Sequence, residues 1–218
     1  MRRTRKRNMS LCDCARVRLR TLCSREIIKT EGEFWGNKKL MRLADIFKDK
    51  SIKKIDARAM IIDGILRGDY TIEEIESISN ELKDNKISTI LEAIEEISNK
   101  ELIALSLKYL EFAKKYISSK DNSCKREASR IVGNMASQYP QAVRDCIPAL
   151  LDNVKADGTV IRWGSAYALS RIILLEEYCN SDLYEELVTI CDNEQENGVR
   201  NQYLKAFKKI KNRRTNFM

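Results

Sequence analysis

With 218 residues, 43% apolar and 33% charged, the chain has the length of one ordinary domain or one elongated repeat array. Its 8 Gly and 2 Pro are too few for many short strands and turns, so the composition leans to helix. The complete lack of His excludes Ser-His-Asp and Cys-His catalysis and every His-containing metal site. The net charge of +8 sits in the head: residues 1–25 hold nine bases (Arg2, Arg3, Arg5, Lys6, Arg7, Arg16, Arg18, Arg20, Arg25) against Asp13 alone. The body from residue 26 is neutral, with 31 bases and 31 acids, so the overall charge does not describe what the body binds.

Three readings fit the head: a disordered tail or a stretch included by an upstream start choice, with Met9 as an alternative start; an Arg-rich transit-like segment; or a polybasic arm, Arg2-Arg3-Thr4-Arg5-Lys6-Arg7, for nuclear import or anionic polymers. No apolar run approaches the 18 residues or so of a membrane span, and the head lacks the apolar core of a secretory signal. The seven Cys are odd in number and form no Cys-x-x-Cys pair. Cys12-x-Cys14 is too little for zinc, so we expect a reducing, cytoplasmic setting, with no metal, cofactor or disulfide framework.

From residue 37 the apolar residues recur at spacings of 3 and 4. Asn37 is a candidate cap for a helix through Leu40, Leu43, Ala44 and Phe47. Ser51 is a candidate cap for the next, through Ile55, Ala59, Ile62, Ile65 and Leu66, which stops at Gly68. Thr71-Ile72-Glu73-Glu74 is a capping box that opens a helix with Ile75, Ile78 and Leu82. A short helix follows with Ile87, Ile90, Leu91, Ile94 and Ile97. Ser98-Asn99-Lys100-Glu101 reads as a second capping box, opening a helix with Leu102, Leu105, Leu107, Leu110, Phe112, Ala113 and Ile117. The next runs from about Ser123 to Ser137. Tyr139-Pro140 marks a boundary, and Pro148 is expected to kink or restart the helix through Val143, Ile147, Leu150, Leu151 and Val154. Gly158-Thr159 precedes a helix to about Leu175, Ser181-Asp182 opens one to about Cys191, and the last begins near Asn197. That makes roughly ten helices in five antiparallel pairs.

Three of these helices align. Lys125, Arg162 and Arg200 stand 37 and 38 residues apart. Three positions on lie Ala128, Ser165 and Tyr203; four on, Ser129, Ala166 and Leu204; six on, Ile131, Ala168 and Ala206; seven on, Val132, Leu169 and Phe207. Asp-Asn recurs at Asp84-Asn85, Asp121-Asn122, Asp152-Asn153 and Asp192-Asn193, residues suited to ending one helix and capping the next. Stepping by four from one residue after each aligned base gives Arg126, Arg130 and Asn134; Trp163, Tyr167 and Arg171; Asn201, Lys205 and Lys209. These fall between the apolar positions, so they are expected to face away from the core as one patch with five bases, two aromatics and no acid. By contrast, eight acids and no base lie between Arg171 and Arg200.

Ile161-Arg162-Trp163-Gly164-Ser165-Ala166-Tyr167-Ala168-Leu169 resembles the second helix of a HEAT/armadillo repeat. So does Lys125-Arg126-Glu127-Ala128-Ser129-Arg130-Ile131-Val132-Gly133, and Cys146-Ile147-Pro148-Ala149-Leu150-Leu151-Asp152 is similar to the first. The match is good over 100–215, loose over 37–99 and nil before 26. The resemblance implies an all-α, right-handed α-solenoid over 26–218, its second helices lining the face where partners bind. The expected function is a non-enzymatic protein-interaction scaffold. Its partner is an acidic or amphipathic protein segment that meets Arg126, Arg130, Asn134, Trp163, Tyr167, Arg171, Asn201, Lys205 and Lys209. The alternative partner is a nucleic acid. Some alkylpurine DNA glycosylases are built from HEAT-like repeats with a basic groove and aromatics, but they set a carboxylate beside the aromatics. Here only Glu127, one residue off the patch, is near.

Overall fold

The computed structural model describes residues 41–215; the head, its boundary at residue 25 and the candidate cap Asn37 lie outside them. Among the described residues the regular structure is entirely helical. The helices are α1 (Leu43–Lys48), α2 (Lys54–Arg67), α3 (Ile72–Ser79), α4 (Asp84–Asn99), α5 (Leu107–Lys114), α6 (Asn122–Met135), α7 (Ile147–Asn153), α8 (Thr159–Ile172), α9 (Asp182–Asn193) and α10 (Asn197–Thr215). A 3-10 turn, Arg144–Cys146, precedes α7.

Local chemistry sets most of the boundaries. Thr71 accepts from the backbone N–H of Glu74 at 3.2 Å, and Asp121 accepts from that of Cys124 at 2.8 Å. Each satisfies one of the free N–H groups of a first turn. α2 ends at Gly68, whose φ of 79° is left-handed, a conformation that costs glycine nothing. Pro148 restarts the chain: the 3-10 turn hands over to α7 with the proline in its first turn, where no N–H is needed.

Three expectations are corrected. Ser51 bonds Asp49 instead of capping a helix, and α2 starts after Lys53. The buried face of α2 is Ala57, Ile61, Gly64 and Ile65, while Ile55 is exposed. The most consequential is Ser98-Asn99-Lys100-Glu101, which ends α4 and does not open α5. Glu101 takes φ 51°, and the N–H of Leu102 reaches back to the carbonyl of Ile97 at 3.1 Å. That six-to-one bond closes a helix C-terminus. Leu102, Ile103 and Leu107 are consequently more than a third exposed, and α5 begins only at Leu107.

The even-numbered helices pack in succession, α2 on α4, α4 on α6, α6 on α8 and α8 on α10. Behind them α1 packs on α2, α5 on α6, α7 on α8 and α9 on α10. The aligned positions sit in this core. Ala128, Ser165 and Tyr203 are wholly buried, as are Ile131 and Ala168, with Ala206 nearly so. Leu204 departs from its counterparts Ser129 and Ala166, being 46% exposed, because α10 packs on α8 and α9 and no described helix follows it. α6 and α8 approach most closely where side chains are smallest. A Cβ at Gly133 would stand 2.9 Å from the Cα of Ala168, and one at Gly164 would stand 3.2 Å from the Cα of Arg126. Ala166 has no exposed surface, so Ala166→Leu should overpack the helix core and cost about 1–3 kcal/mol in urea denaturation; a change of a few tenths would contradict the seam.

Candidate binding surface

The patch read from the sequence divides into two adjoining grooves along the even-numbered helices. Arg126, Arg130 and Trp163 line the first, together with Glu92, Glu95 and Glu96 of α4 and Glu127 of α6. Asn134, Tyr167, Arg171, Lys205 and Lys209 line the second, together with Glu101, Ser170, Gln202 and Arg213. Asn201 is exposed and lines neither groove.

In the first groove the expected acid-free surface is overturned. Arg130 Nη2 is 2.7 Å from Glu95 Oε1, and its Nη1 is 2.9 Å from Glu127 Oε2. Arg126 Nη2 stands 2.5 Å from Glu127 Oε1 and 3.8 Å from Glu92. Lys54 pairs with Glu92 at 2.7 Å, and Arg58 and Lys100 with Glu96 at 3.5 and 2.6 Å. Glu95 and Glu127 are buried, so each requires a counter-charge. Burial pushes the Glu95 carboxyl above its ordinary 4.5, while Arg130 and the Asn134 amide pull it back. Arg126 and Arg130 are therefore engaged internally. The three α4 carboxylates stand at i, i+3 and i+4, which places them on one helix face. That spacing was the available signal, but α4 lay outside the alignment of the three helices.

Tyr167 is also corrected, from exposed anchor to buried strut: only 7% of its surface is exposed. Its hydroxyl donates to Asn134 Oδ1 at 2.6 Å, with the side-chain oxygen of Asn99 at 3.1 Å. Asn134 in turn donates to Ser98 Oγ at 3.0 Å and Glu95 Oε1 at 3.3 Å, so Asn134 braces α6 against α4. The Arg171 guanidinium lies over the Tyr167 ring, 3.6 Å from its centroid. Trp163 is half-buried, its ring 5.5 Å from that of Tyr167 and 5.7 Å from the Arg130 guanidinium. Tyr167 packs against α6 where that helix has no side chain: a Cβ at Gly133 would stand 3.2 Å from its ring.

The second groove differs in charge. Arg171, Lys205, Lys209 and Arg213 line it against one carboxylate, Glu101. Lys205 and Lys209 are exposed. Among the described residues, no carboxylate lies within 4.0 Å of Lys205, Lys209 or Arg171. Arg213, absent from the sequence patch, donates to the carbonyl of Leu174 at 2.7 Å. The acidic stretch between Arg171 and Arg200 lies elsewhere in charge terms: its Glu194 pairs with Arg162 at 3.0 Å.

Among the described residues no helix is long and apolar enough to cross a membrane, and no cluster of His, Cys, Asp and Glu could hold a metal ion. Cys124, Cys146 and Cys191 are buried free thiols. Burial pushes Cys124 up to about 12 and Cys146 up to about 11, which keeps both protonated and unreactive. No family model matches the chain, and no curated protein or solved structure matches it.

Proposed function

We propose that the chain is a HEAT-type, right-handed α-solenoid of five antiparallel helix pairs. It acts as a non-enzymatic interaction module, binding an acidic segment of a partner protein in the groove formed by α6, α8 and α10. The array reading is supported by the successive packing of the even helices and by contacts that recur about one repeat apart. Lys54–Glu92 spans 38 residues, Asn134–Glu95 spans 39 and Asn153–Ile117 spans 36. Nearest-neighbour contacts of this kind are what a stack of repeats produces.

One observation carries the binding reading: the division of charge along a single face. Arg126 and Arg130 are neutralised by Glu92, Glu95 and Glu127, whereas Arg171, Lys205, Lys209 and Arg213 line a groove in which Glu101 is the one carboxylate among the lining residues. Excess positive charge beside uncharged polar walls attracts an anion. The basic surface is short and is bordered by carboxylates on the α4 side. This suits a peptide better than a duplex, whose binding sums some 6–10 phosphate contacts.

A second reading has its own observation. Glu95 and Glu127 flank Arg130 beside Trp163, so the carboxylate that a HEAT-like DNA glycosylase sets near its aromatics has a counterpart here. Release of free base from an alkylated duplex is its readout.

The test is fluorescence anisotropy with labelled oligoglutamate and with duplex DNA over a range of salt. Oligoglutamate should bind, and Lys205→Glu with Lys209→Glu should weaken it at least about tenfold, or about 1.4 kcal/mol. Binding of duplex with a steep salt slope, together with none of oligoglutamate, would contradict the proposal.

A further inference from the structure

Resting on that reading, we infer that the groove's occupant is an extended peptide segment with acidic side chains at alternate positions, its backbone hydrogen-bonded to the polar groove wall.

The spacing of the bases matches an extended chain. Lys205, Lys209 and Arg213 stand at i, i+4 and i+8 on α10 and all line the groove. With a rise of about 1.5 Å per residue they form a ladder of about 6 Å steps. An extended chain advances about 3.3 Å per residue and turns alternate side chains to the same side, about 6.6 Å apart. Carboxylates at i, i+2 and i+4 of an extended segment therefore meet the three rungs nearly in register. Arg171, on the facing helix α8, closes the opposite side. Contiguous acids would turn every second carboxylate away from the ladder.

The wall offers polar partners. Ser137, which is exposed, and Gln202, which is half-buried, both line the groove. An extended peptide carries free N–H and C=O groups along its whole length that require such partners. A helical peptide satisfies its own backbone, and it docks instead through an apolar stripe against an apolar groove.

The bases also have a local role to be weighed, since cations favour helix C-termini. Arg213 serves that role in part, bonding the Leu174 carbonyl just past α8. Lys205 and Lys209 lie in the middle of α10, outside the last turn where the dipole is felt, so the dipole of their own helix does not account for them.

The experiment uses the full chain and labelled peptides of one composition and three registers: acids at alternate positions, acids in one block, and acids at every fourth position in an Ala-rich helical background. A single-stranded oligonucleotide is the fourth probe. The alternate-register peptide should bind at least about tenfold more tightly than the other two. Lys205→Glu with Lys209→Glu should abolish that binding. Lys208→Glu with Lys211→Glu, on exposed positions of the same helix outside the groove, should leave it intact, and Gln202→Ala should weaken it a few-fold. Equal binding of block and alternate peptides, both lost on charge reversal in the groove, would overturn the register and leave the acidic-partner reading standing. Tightest binding of the helical register would overturn the extended occupant in the same way. Tightest binding of the oligonucleotide, no binding of any probe, or binding indifferent to Lys205 and Lys209 would overturn both.

Discussion

Arg130→Met is expected to destabilise the chain by about 2–4 kcal/mol at neutral pH. Removing one member of a buried ion pair costs about 3–5 kcal/mol when both groups are fully enclosed; the Arg130 side chain keeps 23% exposure, which lowers the figure. The loss falls on Glu95, buried and left without its cation, while Glu127 keeps Arg126. The penalty should depend on pH with a definite sign. Burial already holds the Glu95 carboxyl above 4.5 against the pull of Arg130, and deleting Arg130 raises it further. The native variant then binds more protons than its unfolded chain from pH 4.5 up to that raised value, so its stability falls as pH rises through the window. Urea denaturation at a series of pH values should show a penalty that is small in acid and full at neutrality. A penalty constant with pH would place the effect in lost packing rather than charge.

Gly133→Val is expected to cost about 3 kcal/mol, at the upper end of the range for overpacking. The new Cβ would meet the Cα of Ala168 at 2.9 Å and the Tyr167 ring at 3.2 Å. Backbone cannot rotate away as a flexible side chain can, so α6 and α8 must separate. That motion also pulls on the bond between the Tyr167 hydroxyl and Asn134 and on Arg171, whose Cδ stands 3.3 Å from the same Cβ. Loss of oligoglutamate affinity should therefore accompany the thermal destabilisation. An unchanged melting temperature would show that the seam is loose.

Which parts of the molecule could be read in advance follows from the range of the forces involved. Gly68, Thr71, Asp121 and Pro148 act on backbone groups within four residues, and all four do in the structure what their types dictate. The alignment of Ala128, Ser165 and Tyr203 was legible for a related reason, since equivalent positions of stacked helices meet equivalent crowding. Ser98-Asn99-Lys100-Glu101 misled because one tetrapeptide carries residues able to start a helix or end one. The contact that decides, Leu102 N–H to the Ile97 carbonyl, involves a residue that looked like the new helix's first apolar position. The patch residues were found but their state was not. Whether Arg130 is free or paired depends on Glu95, 35 positions away on the neighbouring helix, and whether Tyr167 is exposed depends on how closely Gly133 lets that helix approach. Both are properties of the inter-helix distance, which no single helix encodes.

Amide chemical-shift mapping during titration with oligoglutamate distinguishes binding beside Arg171, Lys205 and Lys209 from binding beside the paired Arg126 and Arg130. Shifts should be confined to the C-terminal half of α8, to residues 202–213 of α10 and to the end of α6, with little change at residues 92–96 and 126–130. Shifts centred on Glu92, Glu95, Arg126 and Arg130, with α10 silent, would contradict the proposed site.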